Sequence, residues 1–329
     1  MKRMYTLIAL LLLFLGFSFF QGQQKQQAEQ RKVGVLTLMH HPALDEIYAG
    51  FKDGLRQSGL VPGKNIEIDY QNANGDQSNL HTMAGKLIDD NPAALVGITT
   101  PAAQALASQE KRLPLVLGAV TDPQAAGLVA NNQHPGGNIT GISDGAPVAQ
   151  QLRLIQAFMP HLKTLGVIYT SSDSSAVSGF HEIQRQCRKD KINLKSYSIA
   201  NSNDLNQVSE QILSQVDAVI VPTDNTIASA MQTLVKNANA AQKPVFPAVD
   251  TMVKAGGLAT YSVNQHQLGV LTGKMTAAII KGQKKPATTP IGRVVKGEPV
   301  LNLRQARKLR LQVPKYFFRQ AQKQGRIYR

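Results

Sequence analysis

The chain has 329 residues, of which 43% are hydrophobic, and this provides enough apolar material for two buried cores. Its formal net charge of +15 is concentrated at the two ends. Residues 281–329 hold 14 Lys and Arg against one acid and residues 1–32 hold five against one, whereas the body between them holds 17 basic and 19 acidic residues. Such a near-neutral body argues against a nucleic-acid partner and favours the binding of a small molecule.

The N-terminus has the organisation of an export segment. Lys2 and Arg3 precede an apolar run over 5–20, and a polar, glutamine-rich tract follows over 21–32. The only cysteine, Cys187, lies far from this run, so no cysteine follows it to carry a lipid, and no convincing cleavage site follows it either. We therefore predict an extracytoplasmic protein tethered to the cell membrane by an uncleaved N-terminal segment. The alternative is a protein that is secreted or periplasmic after cleavage of the signal.

The rest of the chain repeats one strand–turn–helix pattern. Apolar runs begin at Val33 and again at Leu165, and each leads into a long amphipathic helix. Two further pairs of strand-like runs match in the same order, 94–101 with 218–225 and 114–122 with 244–251. Continuous apolar runs that alternate with helices are typical of parallel strands covered on both faces. The sequence therefore predicts an α/β fold of two doubly wound parallel-sheet lobes with a cleft between them.

Three strand-like segments are predicted to cross between the lobes and to form a hinge. A dense turn signal over 131–138 precedes the first segment, 139–143, and the other two lie at 256–262 and 293–301. The predicted units are a signal or anchor segment with its linker over 1–31, a first lobe over 32–143 and 260–290, and a second lobe over 144–259 and 291–329.

Ligands of open parallel sheets bind at the carboxyl ends of the strands, beside the N-termini of helices. Thr99 and Thr100 end one such strand, directly before a helix that opens with Pro101. Their hydroxyls and the free N–H groups of the helix suit a carboxylate. At the matching edge of the second lobe, Asp224 and Asp250 would pair with an ammonium group. Capping of the following helix is the alternative role for Asp224.

Further polar residues are predicted to contact the ligand from the same edges, with an ordinary turn or a helix cap as the alternative for each. They follow the predicted strands of the first lobe (Thr121, Asp122, Ser143 and Asp144) and the first strand of the second lobe (Tyr169 and Ser172).

His41 follows the first strand and is predicted to line the cleft, with a turn or surface role as the alternative. No cluster of His, Cys and carboxylate residues accompanies it, so we predict no metal site and no cofactor. The chain also has no P-loop and no G-x-G-x-x-G motif. We therefore predict a binding protein without catalytic residues.

Several short segments carry a family resemblance when they are taken together; they are 33–35, 41–45, 50–51, 100–104, 119–123 and 137–143. Their combination resembles the extracytoplasmic substrate-binding proteins of ABC transporters, and within them the subfamily typified by the tryptophan/tyrosine-binding component TrpX. The resemblance covers about residues 32–314. It implies a type I periplasmic-binding-protein fold that captures a small solute, foremost an aromatic amino acid such as tryptophan, for ABC permease and ATPase subunits. The alternative is a ligand-sensing receptor of the same fold for a sugar, a purine or a branched amino acid.

Overall fold

The computed structural model describes residues 31–294 and 297–329. Residues 1–30, which carry the predicted export segment, lie outside the described residues. No helix within the described part of the chain has the length and apolar character needed to cross a membrane.

The first lobe is built on a six-stranded, wholly parallel sheet. Its strands are β1 (Arg31–Thr37), β2 (Ile66–Asn72), β3 (Ala94–Ile98), β4 (Leu115–Val120), β5 (Ile139–Ser143) and β11 (Gly292–Arg293), in the spatial order β11-β5-β4-β3-β1-β2. The helices around it are α1 (Pro42–Gln57), α2 (Gln77–Asp89), α3 (Thr100–Gln109) and α10 (Gln265–Ile280).

Helix α10 comes late in the chain but packs against α1, and glycines make this close approach possible. A Cβ atom added at Gly50 would lie 2.0 Å from the carbonyl oxygen of His266, and one added at Gly269 would lie 2.0 Å from that of Ile47. Any larger residue at either position would force the two helices apart. The glycines therefore hold a C-terminal helix in the first lobe.

The second lobe is built on a four-stranded parallel sheet. Its strands are β6 (Thr164–Thr170), β7 (Asn193–Ile199), β8 (Ala218–Val221) and β9 (Val245–Pro247), in the order β7-β6-β8-β9. The surrounding helices are α4 (Val148–Phe158), α5 (Ser174–Lys189), α6 (Leu205–Leu213), α7 (Asn225–Ser229), α8 (Met231–Ala240) and α9 (Asp250–Lys254). Single 3₁₀ turns span Ser202–Asp204 and Pro286–Thr288.

A third, mixed sheet extends the second lobe. It contains β10 (Ala259–Ser262), β12 (Glu298–Asn302) and β13 (Arg326–Tyr328), with the helices α11 (Leu303–Lys308) and α12 (Lys315–Gln324). The amide of Leu258 donates to the carbonyl of Val245 at 2.7 Å, so this sheet continues from the edge of the second sheet. The sequence indicated strands in this region but not a separate sheet.

Apolar clusters cover both faces of each parallel sheet, as the continuous apolar runs predicted. In the first lobe, Leu36 and Leu95 belong to one cluster and Val35 and Val96 to the cluster on the opposite face. Strands β3, β4, β5 and β8 are buried along their whole length. The predicted α/β class with two doubly wound lobes is therefore confirmed.

The chain passes three times between the lobes: from β5 to α4, from β10 to α10 and from β11 to β12. The predicted lobe boundaries stay a proposal, and strand pairing suggests two adjustments to them. Gly292 and Arg293 pair with β5 of the first lobe, although the second segment of the second lobe was predicted to begin at 291. Residues 260–262 pair with β12, although they were predicted to belong to the first lobe.

Candidate functional site

The strand ends of the two lobes face each other across a small cavity of about 20 Å³. One part of its wall is apolar and is formed by Ala43, Leu44, Ile47, Ala119, Ala228 and Val249. The other part is polar and is formed by His41, Thr99, Thr100, Thr121, Asp144, Ser175, Thr223, Asp224, Asn225 and Gln265. Residues of both lobes and of the crossings between them therefore meet at one amphipathic site.

Four buried side-chain atoms at this cavity have no hydrogen-bond partner in the protein. They are His41 Nδ1, Thr100 Oγ1, Thr121 Oγ1 and Asp144 Oδ1. Buried polar groups in folded proteins are nearly always paired, and each one left unpaired costs about 1–3 kcal/mol. Eight such atoms occur in the described residues, and one of the other four, Asp250 Oδ2, lies in an ion pair with Arg326. Donors and acceptors are thus held unpaired at a cavity that lies between the two lobes.

Asp144 lies in the first crossing, and one oxygen of its carboxylate, Oδ1, has no hydrogen-bond partner. Burial raises the pKa of Asp144 to about 6. The nearby hydroxyl of Thr121 acts in the opposite direction, but Thr121 Oγ1 and Asp144 Oδ1 form no hydrogen bond. An ionised, buried carboxylate is stabilised by a cation. Asp144 is therefore better placed for an ammonium group than either Asp224 or Asp250.

Thr99 and Thr100 line the cavity at the start of α3. Thr99 caps this helix through a contact from the amide of Ala102 at 3.5 Å, and its own amide donates to the carbonyl of Gly118 at 3.0 Å. Its φ of +92° and ψ of 157° lie in a region that residues other than glycine rarely occupy. Ala119, on the facing strand end, also has a positive φ of 56°. Strained backbone of this kind concentrates at functional sites, and the N-terminus of α3 offers N–H groups to an anion.

His41 joins the two lobes through a chain of polar side chains. Its Nε2 lies 3.2 Å from Asn225 Oδ1, and the Asn225 amide donates to Asp173 at 2.8 Å. Burial lowers the pKa of His41, which favours the neutral ring. Nearby, the hydroxyl of Ser174 donates to Gln104 across the lobes at 3.0 Å. The lobes are thus held together by neutral hydrogen-bonding groups.

Asp224 lines the cavity, but its carboxylate is already engaged. It accepts from the amide of Thr170 at 2.6 Å, from the Thr170 hydroxyl at 2.9 Å and from the amide of Ile227 at 2.9 Å. Burial, followed by the charge of Asp173, raises the pKa of Asp224 to about 7. These contacts favour the alternative of a helix cap over the predicted ammonium contact.

The predicted position of Asp250 in the cleft requires correction. Its carboxylate is fully buried in an ion pair with Arg326, with 2.6 Å between Oδ2 and Nη1, and it does not line the cavity. Asp250 also accepts from the amide of Thr251 at 2.9 Å. Since Arg326 lies in the C-terminal strand β13, no local sequence pattern links the two residues.

Tyr169 and Ser172, which were predicted to contact the ligand, do not line this cavity, although Ser172 borders a separate pocket between the lobes. The Tyr169 ring stacks on Phe180 in the core of the second lobe, with ring centroids 4.3 Å apart. The exposed hydroxyl of Ser172 donates to the carbonyl of Ala200 at 3.1 Å. Tyr169 is therefore used in the core of the second lobe, whereas Ser172 stays exposed at the cleft.

Asp122 and Ser143 border a wider chamber of about 680 Å³ next to the cavity, which Thr121 also lines. Asp122 accepts from the amide of Ala125 at 3.0 Å, which is the turn role given as its alternative. The Ser143 hydroxyl donates to the carbonyl of Thr121 at 3.0 Å and accepts from the amide of Gly145 at 3.2 Å. Both side chains therefore stabilise the loops beside the cavity.

Ser143 is also the centre of a G-x-S-x-G sequence, Gly141 to Gly145, which in some hydrolases surrounds a nucleophile. Here it ends a strand and leads into a crossing, not into a tight turn followed by a helix. Within the described residues, the Ser143 hydroxyl bonds only to backbone groups, so no histidine activates it. The described residues also contain no group of three or more His, Cys, Asp or Glu arranged to hold a metal ion.

Two doubly wound lobes around a polar cavity at their strand ends define a class, the solute-binding proteins with a type I periplasmic-binding-protein fold. Solved structures with only 12–14% identity share this fold, at TM-scores of 0.54–0.59. The chain belongs to the family of ABC transporter substrate binding proteins, whose sequence model matches residues 32–324. Members of this family bind solutes outside the cytoplasm and work with ABC transporter components. The predicted resemblance is therefore confirmed.

Three similar proteins add detail. A tyrosine-binding protein of Clostridioides difficile is 30% identical over 282 residues, which are 86% of this chain and 81% of that protein. An ABC domain of Streptococcus pneumoniae in complex with L-Trp is 39% identical, with a TM-score of 0.87 over 91% of this chain and 99% of that chain. A ligand-free, open substrate binding protein of Clostridium difficile is 33% identical, with a TM-score of 0.68 over 87% and 96%. The TM-score with the L-Trp complex is thus higher than that with the ligand-free, open protein.

Proposed function

We propose that this protein binds an aromatic amino acid, tryptophan or tyrosine, as the solute-binding component of an ABC importer. The observation that carries the proposal is the convergence of four unpaired polar atoms on one interlobe cavity. A free amino acid brings a carboxylate, an ammonium group and a side chain, and the cavity offers a matching group for each of them. The L-Trp complex and the tyrosine-binding relative support an aromatic side chain.

In the proposed binding mode, the solute carboxylate meets the hydroxyl of Thr100 and the N-terminus of α3. The ammonium group pairs with Asp144, whose carboxylate has an unpaired oxygen. The side chain lies along the apolar wall formed by Leu44, Ile47 and Val249. One charged end of the solute is thus held by the first lobe and the other by the crossing into the second.

Binding by this mode requires the lobes to move. A cavity of about 20 Å³ has room for roughly one water molecule, so an amino acid enters only when the lobes separate. The three crossings are the only covalent links between the lobes in the described chain, and rotation about them opens the cavity. The solute then stabilises a closed form in which both walls contact it, with a cavity larger than the present one of about 20 Å³.

A calorimetric and thermal-shift panel on the purified protein tests this function. L-Trp and L-Tyr are expected to raise the melting temperature, because a ligand of the native state stabilises it by mass action. Tryptamine lacks the carboxylate and indole-3-propionate lacks the ammonium group, and each should bind at least about 100-fold more weakly than L-Trp. Chromatography of the recovered solute is expected to show unchanged tryptophan. Binding of a sugar or purine instead, or chemical conversion of the amino acid, would refute the proposal.

The importer role is tested in cells. Deletion of the gene is expected to reduce uptake of labelled tryptophan or tyrosine, and unchanged uptake would favour a receptor role. We also propose that the N-terminal segment tethers the protein to the outer face of the cell membrane. Fractionation with N-terminal sequencing of the recovered protein tests this, because a cleaved, soluble form would contradict it.

A further inference from the structure

His41 is the side chain at the cavity whose hydrogen-bonding state follows from its neighbours. The Asn225 amide nitrogen donates to the Asp173 carboxylate at 2.8 Å, so the Asn225 oxygen faces His41. The His41 Nε2 therefore carries the hydrogen in this contact. In the neutral ring, Nδ1 is then left with a lone pair and acts only as an acceptor.

This acceptor lies beside the apolar wall of the cavity. His41 is the N-cap of α1, and the first turn of the same helix supplies Ala43 and Leu44 to that wall. Across the lobes, Asn225 begins α7, whose next turn supplies Ala228. His41 lines the cavity, and its Nδ1 is buried and has no partner. A solute side chain that lies along this wall would bring its ring close to an unpaired acceptor.

Tryptophan and tyrosine share one property that phenylalanine lacks, an aromatic ring with a hydrogen-bond donor. We propose that His41 Nδ1 accepts the hydrogen bond of this ring donor, the indole N–H or the phenol O–H, and that lobe closure prepares it to do so. When the lobes close, the bond from Nε2 to Asn225 holds the hydrogen on Nε2 and keeps the lone pair on Nδ1. His41 then both fastens the lobes and selects the side chain. This inference rests on the proposed function and specifies its ligand.

The proposal is tested by measuring the affinities of two matched ligands for the unmodified protein and for a His41 variant. L-Trp is compared with 3-benzothienyl-L-alanine, in which sulfur replaces the indole N–H at nearly the same size. In the unmodified protein the analogue should bind about 10-fold or more weakly, because it leaves a buried acceptor unpaired. In His41→Phe, which removes the acceptor but keeps a ring, the two ligands should bind within about twofold of each other. Tyrosine and phenylalanine form a second pair with the same expectation.

The neighbouring histidine provides a matched control. His40 is exposed and contacts Asp45 at 3.0 Å, outside the cavity lining, so His40→Phe should leave the 10-fold preference unchanged. If His41→Phe does not fold, His41→Gln serves instead, because an amide can still donate to Asn225 and offer an oxygen to the ligand. His41→Gln is expected to retain part of the preference. Nitrogen NMR of the imidazole in the L-Trp complex should show hydrogen on Nε2 and none on Nδ1.

The outcomes separate the two proposals. If neither L-Trp nor L-Tyr binds the unmodified protein, the proposed function fails. If L-Trp binds but the benzothienyl analogue binds equally well, or if His41→Phe keeps the preference, the function stands and the role of His41 is refuted. A hydrogen on Nδ1 in the complex would refute it as well.

Discussion

The two lobes present contrasting edges to the same cavity. On the first lobe, the hydroxyls of Thr100 and Thr121 are buried and unpaired. On the second, Asp224 and Asp173 accept hydrogen bonds from backbone and side-chain donors around them. Leaving a neutral hydroxyl unpaired costs much less than leaving a buried carboxylate unpaired. The unpaired hydroxyls of the first lobe can therefore stay available for a ligand. The buried carboxylates of the second lobe must instead be hydrogen-bonded within the protein.

Asp144 is the exception to this contrast, because it is a buried carboxylate with an unpaired oxygen in the crossing between the lobes. Replacing Asp144 is expected to have the largest effect on binding of all the substitutions proposed for the two edges. Asp144→Asn is expected to weaken amino-acid binding by about 2–5 kcal/mol, since the ligand ammonium loses its charged partner. The ligand-free protein should melt at the same temperature or higher, because an unpaired buried charge is removed. Calorimetry and thermal melting measure the two effects, and Asp122→Asn, in a turn outside the cavity, is the control.

The second-lobe edge is expected to contribute to stability more than to binding. Asp224→Ala leaves the amides of Thr170 and Ile227 without their acceptor, and the free energy of unfolding should fall by about 2–3 kcal/mol. Urea denaturation measures this loss. Equal stability together with a large loss of affinity would show that Asp224 contacts the solute after all.

The raised pKa of Asp144, about 6, predicts opposite pH dependences for binding and stability. Binding of an ammonium group requires the ionised carboxylate, so affinity should fall by up to tenfold for each pH unit below about 6. The folded-state pKa lies above the unfolded value of 3.8, so protonated Asp144 favours the folded state. This contribution is complete below the unfolded pKa and is lost as the pH rises through about 6.

Comparison of the unmodified protein with Asp144→Asn isolates these two pH effects from those of other groups. Calorimetric titrations between pH 5 and 7 should show proton release on binding only when Asp144 is present. Parallel pH profiles of affinity in the two proteins would contradict the assignment of the ammonium partner.

The smallest expected effect concerns the first-lobe edge. Thr100→Val keeps the shape of the side chain and removes one hydroxyl that has no partner in the protein. Affinity for the amino acid should fall by about 1 kcal/mol, whereas the free energy of unfolding should stay equal or rise slightly. Calorimetry and urea denaturation on the same preparation distinguish this pattern from that of Asp224→Ala.

Agreement between sequence and structure is best where the pattern is local. Thr99 and Thr100 follow β3 directly, and His41 lies in the short loop after β1. The ends of parallel strands meet at one edge of a sheet, so all three residues lie at the cavity. The position of a polar residue after a strand does not reveal whether its side chain is already paired. Tyr169 follows the same rule and yet stacks on Phe180 inside the second lobe.

The sequence by itself determined the duplicated α/β pattern, the near-neutral body and the strand ends that meet at the cavity. The reason is that apolar periodicity and charge are local properties that can be read directly from the sequence. Only the tertiary structure decided which carboxylates are free. Asp250 is paired with Arg326 from the C-terminal strand, Asp224 with Thr170, and Asp144 is left without a partner on one oxygen. The physical reason is that the availability of a buried carboxylate depends on donors brought to it by folding, and these donors lie many residues away in the sequence.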